Sequence, residues 1–285
     1  MKNLAPRISG RVRRLTHRYS KSLRQRATNV GAPAPAKIIA FVAGCQRSGT
    51  SMTYRIFDRD PSAQVFDEVS VLSNRDRVEG LRFNDLDNVR NHFRSSPARL
   101  IVAKPLVESQ RLATLLDAFE GSKAIWMYRN YSDVISSNLK RFGADNGHND
   151  LQPIIDGDKA NWRAEGLEHE VVEQIRAFDR SKLSRNDAAA LFWYARNSLL
   201  FKDGLVDDER VQVCRYEDLV TRPEEVIQGF YHFLNYPYPN EHSLAQGIST
   251  SSLGKGGDIT LSPDVEELCE SMYQRLLALA AEKHV

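Results

Sequence analysis

Cysteine is scarce in this chain, and the three present (Cys45, Cys214 and Cys269) are far apart and odd in number. That excludes a disulfide framework and points to a reducing compartment, with the cytoplasm as the expected location. The seven histidines are scattered, with no H-x-x-x-H or C-x-x-C spacing, so the sequence offers no metal site. No apolar run approaches the ~20 residues of a membrane span. Acidic residues are missing altogether from the first 37 positions, which hold ten of the 39 Lys and Arg. The remainder carries 29 basic against 37 acidic residues, so a net charge of +2 hides a basic tail on an acidic body. An acidic body argues against broad nucleic-acid contact. What is present is ordinary: 285 residues, 41% hydrophobic and 27% charged, enough for one large α/β domain or two small ones.

Residues 1–36 are read as a basic arm, amphipathic or disordered, and residues 37–285 as the folded domain. In the arm, Ile8, Val12, Leu15, Tyr19 and Leu23 recur at three and four and fall on one helical face among arginines. Four readings stand: a helix lying on an anionic membrane surface, a helix docked on the chain's own acidic body, a partly disordered arm, and an organelle presequence. A secretory signal is disfavoured, because there is no continuous apolar core segment. The arm ends in Gly31-Ala32-Pro33-Ala34-Pro35-Ala36, a linker composition.

Beyond the linker, strand-like and helix-like segments alternate. Strands are predicted at 38–43, 64–66, 100–103, 123–128 and 210–216. Helices are predicted at 50–58, 107–119, 132–142, 187–203, 223–234 and from Pro263 to about residue 282, the last with Ser262 as N-cap and acidic residues in its first turn. Such alternation predicts an α/β fold in three layers, a central parallel sheet flanked by helices, with ligands beyond the carboxyl ends of the strands. The polar segment 143–170 resists assignment and is read as a lid or acceptor-binding insertion. Trp193 and Tyr194 have the spacing of core packing; Trp162 and Arg163 are candidates for acceptor contact.

The most informative stretch runs from Ile38 to Ser51. An apolar run breaks at Gly44, makes a short polar turn (Cys45-Gln46-Arg47-Ser48-Gly49) and enters a helix at Thr50-Ser51. That is the layout of a phosphate cradle, with backbone N–H groups and a helix dipole directed at an anion. Against G-x-x-x-x-G-K-[ST], Gly44, Gly49 and Ser51 match, but Thr50 stands where the lysine should be. The loop therefore lacks the cation that bridges the β- and γ-phosphates of a triphosphate, and its nearest cation is Arg47. A second stretch, Lys123 to Asn138, ends a buried strand at Arg129 and places Ser137 on the following helix. A guanidinium and a hydroxyl at the sheet edge can clamp a phosphate.

Together the two stretches are specific. Gln46-Arg47-Ser48-Gly49-Thr50-Ser51 resembles the 5′-phosphosulfate loop of sulfotransferases that use 3′-phosphoadenosine 5′-phosphosulfate (PAPS). Arg129 with Ser137 resembles their 3′-phosphate motif, and Tyr216-Glu217-Asp218-Leu219 followed by Pro223 is similar to a later strand–helix element. The likeness covers about residues 38–280, and its wording is closer to the carbohydrate and tyrosylprotein branches. It implies that residues 37–285 form a sulfotransferase domain with a P-loop-like fold. The implied reaction is transfer of a sulfuryl group from PAPS to a hydroxyl of a sugar, glycolipid or other small metabolite, leaving PAP (3′,5′-ADP). The implied donor-binding residues are Gln46, Arg47, Ser48, Gly49, Thr50, Ser51, Arg129 and Ser137, with Lys255 of the glycine-rich loop 252–257 closing over the 3′ phosphate. Arg47 would offset charge near the bridging oxygen, Lys104 would stabilise the sulfonate, and Glu68 would serve as base, with Asp67 competing. A sulfuryl group carries less charge than a terminal phosphoryl, so no metal is expected. Two other readings remain: a P-loop phosphotransferase or NTPase, with Glu217 and Asp218 on the Mg²⁺ side, and a non-catalytic membrane-surface protein.

Overall fold

Five apolar runs form five parallel strands: β1 (Ile38–Gly44), β2 (Ala63–Phe66), β3 (Leu100–Ala103), β4 (Lys123–Tyr128) and β5 (Val211–Arg215). The computed structural model describes Lys21, Gln25 and residues 37–74, 81–239 and 244–282. The strand order is β2-β3-β1-β4-β5. Because β1 lies between β3 and β4, the chain leaves it toward one side of the sheet and later returns on the other. The carboxyl end of β1 is thus the switch point, where a crevice forms in open α/β sheets.

Successive side chains of a strand face opposite sides, and the sheet divides accordingly. Phe41, Ala43, Ile101, Ala103, Trp126 and Tyr128 pack on one face, toward α3 (Leu112–Ala118), α7 (Arg185–Ser198) and α10 (Pro263–Glu282). Ala40, Val42, Val102, Ile125 and Met127 pack on the other, toward α1 (Thr50–Arg59) and α9 (Pro223–Phe233). Helix α7 is buried on every side, which is why its sequence lacks a polar stripe. A capping box starts it: the Ser184 hydroxyl accepts from the Asp187 N–H, and the Asp187 carboxylate accepts from the Ser184 N–H.

The predicted strands hold to within a residue, and most predicted helices are found. The helix expected over 107–119 begins as a 3-10 turn (Leu106–Arg111) after Pro105 and becomes α3 only at Leu112. Three helices longer than six residues were not anticipated: α2 (Leu86–Ser95), α5 (Asn146–Asp156) and α6 (His169–Arg176). Helix α5 corrects the reading of 143–170 as an unassigned polar insertion, while α6 lies almost wholly beyond it. Pro153 and the glycines masked α5, yet Leu151 and Ile154 make an apolar face that packs into the core. A further short helix, α8 (Tyr216–Thr221), follows β5 directly, and α4 (Tyr131–Phe142) follows β4.

Of the N-terminal arm, the readings of residues 1–36 lie outside the described residues except at Lys21 and Gln25. Both are helical and rest on the body: Lys21 Nζ donates to the Asp58 carbonyl at 2.9 Å, and Gln25 Nε2 to the Pro61 carbonyl at 2.9 Å. Among the described residues no helix is long and apolar enough to cross a membrane.

Gly44 ends β1 at φ +126°, and a Cβ there would lie 2.1 Å from the Met127 carbonyl oxygen on β4. Gly44→Ala is therefore expected to cost at least about 2 kcal/mol. A urea midpoint shifted down with an unchanged slope checks this.

Candidate active site

The loop between β1 and α1 turns on Gly49, which caps α1 at φ +99°; a Cβ there would lie 2.5 Å from the ring of Tyr216. Arg47 is left-handed without being glycine, at φ 69°, a conformation that costs roughly 1–2 kcal/mol for an ordinary residue. Helix α1 has no acidic residue in its first turn and no side-chain cap. Its leading N–H groups and its dipole therefore favour an anion in the loop. Ser48 and Thr50 are buried within the turn. The Gln46 side chain turns toward α5, its Nε2 donating to Asp150 Oδ2 at 3.0 Å, so any part it takes at the loop is through its backbone. Cys45 is not a nucleophile candidate: burial pushes its thiol up to about 12.

Arg47 and Ser137 belong to motifs 90 residues apart, and the structure joins them: Arg47 Nε donates to Ser137 Oγ at 3.0 Å. Arg129 leaves the end of β4 buried, donating to Asp133 Oδ2 at 2.9 Å and to the Ser252 carbonyl at 2.5 Å. Its guanidinium lies 4.4 Å from the centroid of the Tyr216 ring, the same ring that closes on Gly49. One aromatic side chain therefore separates Arg129 from the glycine turn, well within a nucleotide's length. The buried Nε of Arg129 has no hydrogen-bond partner in the protein. Burial, followed by the nearby Arg141 and Arg129, lowers the pKa of Arg47. Three guanidiniums thus converge on one rim, and an orphaned donor lies among them. Such a rim suits an anion.

The late loop closes on the same place. Asp133, buried in the first turn of α4, accepts from the Gly254 N–H at 3.2 Å and the Gly256 N–H at 2.8 Å. Ser252 Oγ pairs with the Tyr216 hydroxyl at 2.6 Å. Lys255, between the two anchored glycines, is exposed. In the sequence Tyr216 stands only as part of a motif with no role of its own, and no pattern singles out Asp133, Arg141 or Ser252. Tyr216 had one legible signal, its position at the carboxyl end of a predicted strand.

A second cluster lies at the ends of β2 and β3. Lys104 is buried; its Nζ is 3.0 Å from Asp67 Oδ1, 3.2 Å from Glu68 Oε1 and 3.1 Å from Ser51 Oγ. The lysine therefore bridges the start of α1 to both candidate bases. Burial raises the pKa of Glu68, outweighing the nearby Lys104. A carboxylate held toward neutrality is better matched to proton transfer than a fully solvated one. Asp67 is the more exposed of the pair and accepts from the Glu68 N–H at 2.8 Å, fixing the turn. Of the remaining candidates, Trp193 is core, its Nε1 donating to the Arg129 carbonyl at 3.1 Å. Trp162 is buried between the guanidiniums of Arg163 and Arg196, 4.6 and 5.1 Å from its ring centre, which makes it packing. Glu217 accepts from the Asn130 N–H at 3.0 Å and Arg215 Nε at 3.3 Å, a bracing role at the mouth of the site. Among the described residues no group of three or more His, Cys, Asp or Glu is placed to hold a metal ion.

Residues 38–255 match the family described as Sulfotransferase domain. No curated protein matches the chain in sequence. Among solved structures, the sulfotransferase domain from the Synechococcus PCC 7002 olefin synthase is similar, with 15% identity and a TM-score of 0.47 over 85% of this chain and 97% of that one. The sulfotransferase domain from the curacin biosynthetic pathway has 16% identity and a TM-score of 0.46 over 85% of this chain and 99% of that one. Mouse sulfotransferase SULT7A1 complexed with PAP has 11% identity and a TM-score of 0.45 over 91% of each chain.

Proposed function

The chain belongs to the sulfotransferase family, and from that premise we propose that it moves a sulfuryl group from PAPS to an acceptor hydroxyl. The observation that carries this reading is the convergence of Arg47, Ser137 and Arg129 around Tyr216, with a buried Arg129 N–H left unpaired. PAPS supplies the sulfuryl group on a phosphate leaving group, with a second phosphate at the 3′ position. The turn from Gly44 to Ser51 and the start of α1 hold the 5′ side; Arg129 and Ser137 hold the 3′ phosphate, and the loop carrying Lys255 covers it. Arg47 offsets charge at the bridging oxygen, and Lys104 at the transferring group, as prepositioned cations do where charge develops. Glu68 takes the proton of the acceptor hydroxyl. The acceptor is a sugar, glycolipid or other small metabolite. Val69 and Val71, 69% and 54% exposed just beyond Glu68, offer an apolar edge that supports an acceptor with an apolar portion. The cytoplasm is the proposed compartment.

A thermal-shift comparison tests the donor. A ligand bound by the native state alone stabilises by about 2.7 kcal/mol at a hundredfold excess over Kd. The melting point is expected to rise by several degrees with 3′,5′-ADP without Mg²⁺, and little with 5′-AMP or ATP. An equal shift with 5′-AMP, or an ATP shift that needs Mg²⁺, would end the proposal.

A further inference from the structure

Resting on the sulfotransferase reading, we infer that Asp150 is a positioning residue of the donor loop: its buried carboxylate tethers the Gln46 side chain and thereby holds Arg47 in its left-handed conformation. Asp150 lies on α5, 2% exposed, in the segment whose sequence showed no pattern. It accepts from Arg163 Nε at 2.6 Å, Asn146 Nδ2 at 2.6 Å and Gln46 Nε2 at 3.0 Å. Arg163 supplies the countercharge without which a buried carboxylate is costly. Arg163 and Asn146 come from the same segment as Asp150, so holding that segment together does not require a partner 104 residues away. Gln46 is that partner, and it is the residue immediately before Arg47.

An ionised carboxylate only accepts hydrogen bonds, so Gln46 can present only its amide NH₂ to it, and the orientation of the amide is fixed. Arg47, at φ 69°, is then held from both sides: through Gln46 to Asp150, and through its own Nε to Ser137. The two anchors are themselves connected. Asn146 Nδ2, which donates to Asp150, also donates at 2.9 Å to Asn138 Oδ1 on α4, the residue after Ser137. A non-glycine residue stays in the left-handed region only where its surroundings over-determine it, and this network does so. The loop reaches its ligand already shaped, which removes an ordering cost from binding.

Asp150→Asn keeps the side chain's size but lets the 150 position offer either a donor or an acceptor, so the Gln46 amide is no longer fixed. In the unliganded protein, backbone amides of residues 45–50 are expected to exchange about fivefold faster or more, while those of α7 keep their rates. The Kd for 3′,5′-ADP is expected to rise about tenfold. Gln46→Ala should reproduce both effects, and the double variant should be no worse than either single one. Unchanged exchange at 45–50 in Gln46→Ala, or losses that add in the double variant, would overturn the inference. So would an Asp150→Asn protein that melts earlier yet binds 3′,5′-ADP within about twofold of the parent, since that is the mark of a purely structural role. If Asp150→Asn does not fold, Gln46→Ala at its half-buried loop position decides the matter alone. A parent protein that fails to bind 3′,5′-ADP sinks the donor reading, while the exchange comparison still judges Asp150.

Discussion

Arg129→Ala is expected to abolish the preference for 3′,5′-ADP over 5′-AMP, weakening the former by about 30- to 1000-fold, or 2–4 kcal/mol. The guanidinium is buried and its Nε–H is unpaired, so hydrogen bonds to a phosphate there would form where solvent competes least. On the proposed reading the 5′ side rests on the glycine turn and α1, where Arg129 makes no hydrogen bond, so 5′-AMP should bind about as before. Stability will also fall, because Asp133 is buried and loses its charged partner, keeping only the Gly254 and Gly256 N–H groups. The two effects separate by titrating both nucleotides below the melting point of each variant. Parallel weakening of 3′,5′-ADP and 5′-AMP would mean that the pocket collapsed and Arg129 does not read the 3′ phosphate. Arg129→Lys should recover part of the affinity, since it restores charge but not the two-pronged geometry.

Glu68→Gln is expected to lower sulfate transfer by about 10²–10⁴-fold, the range for loss of a general base. Transfer of ³⁵S-sulfate from PAPS to an acceptor identified from a panel of hydroxyl compounds measures it, and 3′,5′-ADP affinity should be nearly unchanged. Lys104 keeps Asp67 at 3.0 Å, so the lysine is not left buried without a counter-ion. The pH dependence has a definite sign. On the proposed reading Glu68 works deprotonated, and burial raises its pKa, so the acid limb of kcat/KM should lie above the ordinary carboxylate range and disappear in the variant. Stability runs the opposite way. A carboxyl with a raised folded-state pKa favours the fold while protonated, and that contribution is lost as pH rises through the folded value. Glu68→Gln should therefore melt higher than the parent at neutral pH, with the gain vanishing below the ordinary pKa of 4.5. If Asp67→Asn, rather than Glu68→Gln, removes the acid limb, the base is Asp67.

Much of the candidate site was legible because its chemistry is local. A glycine turn between an apolar strand and a helix, and an arginine at a strand end, are written in neighbouring residues. The elements missed were those whose formation depends on distant packing. Pro153 and Gly157 read as breakers, yet α5 forms because Leu151 and Ile154 find a core already built by α7. The resemblance places Gln46 among the donor-binding residues, and only the fold shows its side chain bonded to Asp150.

The sequence by itself determined the alternation of strands and helices, the shape of the loop after β1 and the missing lysine that sets it apart from the triphosphate-binding template. These depend on backbone sterics and side-chain period, which act between near neighbours. Only the tertiary structure decided that Arg47 meets Ser137, that Asp133 holds the loop around Lys255, and that Lys104 reaches both carboxylates and Ser51. Those pairings follow from the strand order, which brings the carboxyl ends of β1, β3 and β4 to one rim, and from burial, which obliges each charge there to find a partner.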